Sequence, residues 1–152
     1  MPQISVIGSS NAKEEELEFA FNLGRLIARE GYTLICGGRG GVMEAVCKGC
    51  FIEGGITVGI LPDYEAFDAN RYLKVVVKTG LGWARNALVV ASGDVVVAIG
   101  GSYGTLSEIA YAFILKKPII GYKTHNVDGL LQAQNLEQVM DFIKAKVENL
   151  SS

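Results

Sequence analysis

Two ionisable residues, Arg85 and Glu108, stand near the starts of otherwise apolar helical segments that flank a β-branched run, residues 94–99. Between that run and Glu108 lies Gly100-Gly101-Ser102-Tyr103-Gly104-Thr105. Glycines at 101 and 104 leave backbone amides unobstructed, Thr105 adds a hydroxyl, and a helix starting there turns the positive end of its dipole toward the turn. The pattern predicts a phosphate seat built from backbone donors, with Arg85 opposite it to recognise the anion. A helical surface cation is the plainer reading of Arg85. Glu108 also has two readings. Thr105-Leu106-Ser107-Glu108 has capping-box spacing, in which the carboxylate only reaches back to the Thr105 amide, a role worth about 1 kcal/mol. The residues that follow, 109–115, are apolar, Ala or Tyr. They place the carboxylate at a poorly solvated rim, where its acidity can be tuned for catalysis.

Two more glycine-bearing stretches end apolar runs: Gly8-Ser9-Ser10, and Gly37-Gly38-Arg39-Gly40-Gly41. The second, continued by Val42 and Met43, comes near a dinucleotide fingerprint but has Met43 where the third glycine belongs, which disfavours NAD. A tight turn that lets helix and strand pack closely remains open, as does a nucleotide or phosphate loop. Four glycines in five residues exceed the needs of a turn. No Gly-x-x-x-x-Gly-Lys-Ser/Thr occurs, so the chain is not a P-loop NTPase.

The elements that must position these residues follow from periodicity. Short β-rich runs at 4–8, 33–36, 56–61, 72–77, 94–99 and 118–122 alternate with helical patterns. The first helix starts at a capping box of Asn11 and Glu14 and ends at Gly31. Others cover 42–53, 82–91 and 105–115, and an amphipathic one closes the chain at 136–150. This predicts a Rossmann-like, doubly wound, mostly parallel α/β sheet with helices on both faces, in one nucleotide-binding domain over residues 1–152. In such a sheet the loops after strands open at the carboxyl edge, where ligands bind. Gly8 and Ser9, then Gly37, Gly38, Gly40, Gly41 and Met43, then Gly101, Ser102, Tyr103, Gly104 and Thr105 therefore meet in one crevice. Arg85 and Glu108, at helix starts, join them. Pro62 and Asp63 follow the third strand and are candidate base or substrate contacts. The stretch 64–71, a loop or short helix over the site, would help set substrate identity.

Composition agrees with a globular chain: 152 residues, 49% hydrophobic and 20% charged. At that length folding buries about two thirds of the unfolded surface. A net charge of -2 argues against a general nucleic-acid binder. No apolar stretch approaches the roughly 20 residues of a membrane span, and a cytoplasmic location is expected. Cys47 and Cys50 form a CxxC, but it lies in a helical pattern without a second pair, far from the only histidine, His125. With Cys36 they read as reduced, partly buried thiols, and no metal site is expected. Helices 83–91 and 105–115 are apolar over more than one face, which predicts a homodimer or higher homo-oligomer.

The run from Arg85 through Asp94 to Gly101-Ser102-Tyr103-Gly104-Thr105-Leu106-Ser107-Glu108, with Gly37-Gly38-Arg39-Gly40-Gly41-Val42-Met43, resembles the LONELY GUY superfamily, whose old label is "lysine decarboxylase-like", and its short molybdenum-cofactor-carrier-like branch. The resemblance implies a Rossmann-like dimer that needs no cofactor for catalysis. In its catalytic members it implies hydrolysis of a nucleoside 5′-monophosphate to free base and ribose 5-phosphate. Arg85 and Glu108 then match the catalytic arginine and glutamate, and residues 101–105 the phosphate turn. Glycosidic cleavage develops oxocarbenium character that a carboxylate can stabilise. Catalytic members carry Pro-Gly-Gly-x-Gly-Thr-x-x-Glu, whereas this chain has Gly100 for the proline and Ser102 for the second glycine. That form resembles the carrier-like branch, which implies a bound nucleotide or molybdopterin-type ligand rather than turnover. A decarboxylase is disfavoured, since no lysine is placed in the crevice to form a pyridoxal Schiff base.

Overall fold

A computed structural model describes residues 1–150, so residues 151 and 152 of the expected domain lie outside the described residues. Seven parallel strands form one sheet: β1 Gln3–Gly8, β2 Thr33–Cys36, β3 Thr57–Leu61, β4 Val75–Lys78, β5 Val95–Ile99, β6 Ile119–Tyr122 and β7 Leu131–Gln132. Their spatial order is β4-β3-β2-β1-β5-β6-β7. The chain builds outward from β1 to β4, returns through α3 to the other side of β1, and builds outward again. The loops after β1 and β5 thus diverge, opening a crevice at their carboxyl ends. Five helices cover the sheet: α1 Glu14–Arg29, α2 Val42–Ile52, α3 Arg85–Ser92, α4 Tyr103–Ile114 and α5 Leu136–Leu150.

Side-chain alternation along the strands separates two cores. Ile4, Val6, Leu34, Val95 and Val97 pack with α1, α2 and α5, whereas Ile7, Ile35, Val96 and Ala98 pack with α3 and α4. Helices α1 and α2 approach backbone to backbone at Gly24 and Gly49. A Cβ on Gly24 would fall on the Val46 carbonyl, and one on Gly49 on the Phe21 carbonyl.

Several expected boundaries move, each for a local reason. Ser9 Oγ accepts from the Asn11 amide at 3.0 Å, which holds residues 9–11 in a turn. Helix α1 therefore starts at Glu14, and its reciprocal cap is Glu16 Oε1 on the Lys13 amide, 3.0 Å, rather than Asn11 with Glu14. The fourth strand begins at Val75 instead of 72, because the Thr57 hydroxyl donates to the Tyr72 carbonyl (2.6 Å) and accepts from the Lys74 amide (2.9 Å). It is also an exposed edge rather than a buried strand. β7, unforeseen, pairs with β6 through only two residues, too few to leave a periodic signal.

Candidate functional site

Gly100 and Gly101 adopt φ of +53° and +107°, and the turn they make lets α4 begin at Tyr103 with Ser102 as its N-cap. Thr105 is therefore inside the first helical turn and Glu108 inside the second, which rules out the capping-box reading of Glu108. No side chain caps α4, so the amides of its first turn lack a side-chain partner. The turn itself is braced from behind: Thr124 Oγ1 donates to the Gly100 carbonyl at 2.6 Å, and His125 Nε2 to the Ser102 carbonyl at 2.9 Å.

Arg85 follows a 3-10 turn, Gly82–Ala84, and opens α3. Its side chain is 7% exposed and lies over the second glycine loop, where a Cβ on Gly37 would come within 3.0 Å of Nη2. Nη1 donates to Asn86 Oδ1, whereas Nε is buried without a partner. Asn86 Nδ2 in turn donates to Ser107 Oγ at 3.2 Å, and Ser107 Oγ to the Gly104 carbonyl at 2.6 Å. The guanidinium is thus tied through two side chains to the first turn of α4. Cation and helix N-terminus thus form one electropositive unit.

Glu108 is 6% exposed and lines the same cleft as Arg85. Burial pushes its pKa up to about 8, with the Arg85 charge pulling the other way. Burial also lowers that of Arg85, which Glu108 partly restores. None of the ion pairs among the described residues joins the two. They sense one another across the cleft without touching. Burial therefore favours the protonated, donor form of Glu108 near neutral pH.

The structure gathers Gly8 and Ser9, Gly37 and Met43, and Ser102, Gly104 and Thr105 around Arg85 and Glu108 in one cleft. Five lining residues were not among the expected site residues: Ile7, Trp83 and Asn86, together with Ser10 and Arg39, which the sequence showed only as parts of the glycine-bearing loops. Arg39, the one charge within a glycine loop, was the available signal. Other expected residues support the cleft instead of lining it. Gly38 packs on Leu61 and Leu73, Gly41 turns at φ +63° against the Ser9 carbonyl, and Gly40 faces open space. Gly101 lines a separate hollow behind the turn, and Tyr103 points outward into an apolar groove between α3 and α4. Pro62 and Asp63 line an adjoining hollow that shares Arg39, Trp83 and Arg85 with the cleft. The stretch after them braces the second glycine loop: Asn70 donates from its amide to the Gly38 carbonyl (2.9 Å) and from Nδ2 to the Arg39 carbonyl (3.0 Å).

All three cysteines are free and buried. Cys47 meets Cys36 at 3.4 Å rather than Cys50, and this hydrogen bond and burial raise its pKa. Burial pushes Cys50 up to about 11. Neither is a reactive thiolate. Among the described residues no group of three or more His, Cys, Asp or Glu is placed to hold a metal ion. No helix there is long and apolar enough to cross a membrane.

The SLOG cluster4 family model matches residues 1–150. The fold matches the molybdenum cofactor binding protein of the phototrophic bacterium Rippkaea orientalis with a TM-score of 0.91 and 36% identity, covering 96% of this chain and 97% of that one. The molybdenum cofactor carrier protein of Chlamydomonas reinhardtii is similar at a TM-score of 0.88 and 32% identity, covering 97% and 99%. Over 104 residues the chain is 31% identical to the cytokinin riboside 5'-monophosphate phosphoribohydrolase of Mycobacterium tuberculosis, which is 66% of this chain and 56% of that protein.

Proposed function

Since the chain belongs to the SLOG cluster4 family, we propose that its cleft binds a phosphorylated heterocycle and that the molybdenum cofactor, a phosphorylated pterin, is carried there as cargo. The observation that carries this reading is the buried Arg85, with Nε unpartnered, linked to the uncapped N-terminus of α4. Those donors fit a phosphate. Likeness over the whole chain to proteins described as binding or carrying this cofactor supports the pterin. Glu108, protonated at neutral pH, adds a donor and no repelling charge. The backbone loops hold the phosphate, Arg85 neutralises it, and Asn86 fixes the guanidinium plane. The test is anaerobic purification followed by denaturation and fluorimetry of oxidised pterin. We expect near-stoichiometric pterin, or uptake of it by protein stripped of ligand. Protein that neither retains nor takes up pterin overturns the carrier reading.

A phosphoribohydrolase is the second reading, favoured by Arg85 and Glu108 lining one cleft and by the partial mycobacterial likeness. Here the C1′–N bond breaks with its electron pair going to the base, Glu108 gives the base its proton, and water adds at C1′ and returns a proton to Glu108, leaving ribose 5-phosphate. Release of ribose 5-phosphate from purine monophosphates, abolished in Glu108→Gln, would establish it. No release over long incubation would exclude it. In either reading we place the protein in the cytoplasm, where buried free thiols stay reduced. A second copy covers the apolar face of α3 and α4, where Leu88, Phe113, Ile114 and Leu115 are exposed.

A further inference from the structure

We propose that Trp83 and Asp63 form a heterocycle subsite beside the phosphate cleft, selective for rings with a 2-amino-4-oxopyrimidine edge, the edge shared by pterins and guanine, over adenine. This rests on the reading of the cleft as a phosphate site, and it names what the rest of the ligand must look like.

Three observations meet at this point. Trp83 is 77% exposed and belongs to neither core, and it walls the phosphate cleft and the adjoining hollow as well as the apolar groove between α3 and α4. An indole held out on a short turn between two cavities is a platform for a planar ring, since stacking is favourable with any aromatic face. A ring linked to a phosphate at the start of α4 therefore meets Trp83 as it leaves the cleft.

The adjoining hollow supplies the selectivity. Of its two carboxylates, Asp68 is committed to Arg39 at 3.4 Å. Asp63 makes no ion pair or hydrogen bond among the described residues, yet it lies near enough to Arg85 to act on that residue's charge. It is the free acceptor on the ring's path. An ionised carboxylate only accepts, and its two oxygens match two adjacent N–H donors. Guanine presents such a pair at N1–H and its 2-amino group, and a pterin presents it at N3–H and its 2-amino group. Adenine offers its amino group beside the N1 lone pair, which would face a carboxylate oxygen. Hypoxanthine keeps the N1 proton but lacks the amino group. A site whose acceptor would go unmatched discriminates strongly between such isosteres.

Trp83 is the only tryptophan, so its emission reports occupancy of the subsite directly. The full chain is titrated with ribose 5-phosphate, AMP, IMP, GMP and 6-hydroxymethylpterin phosphate, by fluorescence and by calorimetry. GMP and the pterin phosphate should quench Trp83 and bind about tenfold or more tightly than AMP and IMP. Whichever of the two binds more tightly identifies the source of the shared edge. In Asp63→Asn the preference should disappear while ribose 5-phosphate still binds. In Trp83→Leu, followed by calorimetry, all heterocyclic ligands should weaken together. Equal binding of AMP and GMP, or a preference that survives Asp63→Asn, overturns the subsite and leaves the phosphate reading intact. If ribose 5-phosphate itself does not bind, the phosphate reading falls and the subsite with it.

Discussion

At the scale of single residues, Glu108 is the group whose state depends most on folding. Burial raises its pKa from the ordinary 4.5 to about 8. The folded chain therefore holds a proton that the unfolded chain releases, and stability is lost as pH climbs through that window. Below it the penalty vanishes, and above it the penalty is on the order of a few kcal/mol. Glutamine copies the protonated form, so Glu108→Gln should melt close to the parent at pH 4.5 and clearly above it at pH 8.5. A melting difference that does not change with pH would show that the carboxyl is not desolvated. Asn86 has a different role, as the acceptor that holds Arg85. Removing a partner of a buried charged group weakens what that group binds by about 1.5–3 kcal/mol. Asn86→Ala should thus lower phosphate or ribose 5-phosphate affinity about tenfold or more in calorimetry, and unchanged affinity would make it a bystander. Arg85 and Glu108 were legible because a charge interrupting an apolar helix stands out. Asn86 was not, since an amide beside an arginine forms no pattern. The spacing of Thr105 and Glu108 misled, because it carries no record of the left-handed turn at Gly100 and Gly101 that starts α4 at Tyr103.

At the scale of elements, β-branched runs announced six of the strands; five are buried, and a strand buried on both faces must be continuously apolar, while the edge strand β4 showed itself by β-branched residues alone. What they did not announce depended on side chains acting at a distance in sequence, such as Thr57 capturing the backbone at Tyr72 and Lys74. The Cys47-Lys48-Gly49-Cys50 stretch drew attention for its thiols, yet Gly49 is the residue that the α1–α2 crossing demands. A methyl there meets main-chain atoms that cannot rotate away, and overpacking of this kind costs about 1–3 kcal/mol or more. Gly49→Ala should therefore lower the urea midpoint markedly, while the neighbouring exposed Lys48→Ala should leave it nearly unchanged. Equal effects of the two would mean that the helices separate freely.

At the scale of the whole molecule, the alternation of strands and helices was enough to place the loops after the strands at one edge, and the observed order β4-β3-β2-β1-β5-β6-β7 puts the cleft between β1 and β5. Sequence could not say which loop residues would line the cleft and which would support it, because that is settled by contacts between loops. The exposed face of α3 and α4 was legible as an excess of apolar character, and its purpose is open to measurement. Sedimentation should find a dimer or larger assembly, and Ile114→Asp, at a position 70% exposed, should shift it toward monomer without loss of fold. A parent chain that sediments as a monomer would leave that face without a partner.

The pairing of β1 with β5 has a consequence in time. Gln3 receives its partner from Asp94, whose carboxylate accepts the Gln3 amide at 2.9 Å. At ordinary rates of elongation the ribosome needs roughly 5–20 s to make the intervening chain. Until then β1 is a bare edge and the first two glycine loops lack the strand and helix start that close the cleft. A chain truncated before β5 would therefore keep part of the cleft's lining and none of the residues of the α4 start, Ser102, Gly104, Thr105 and Glu108, that complete it.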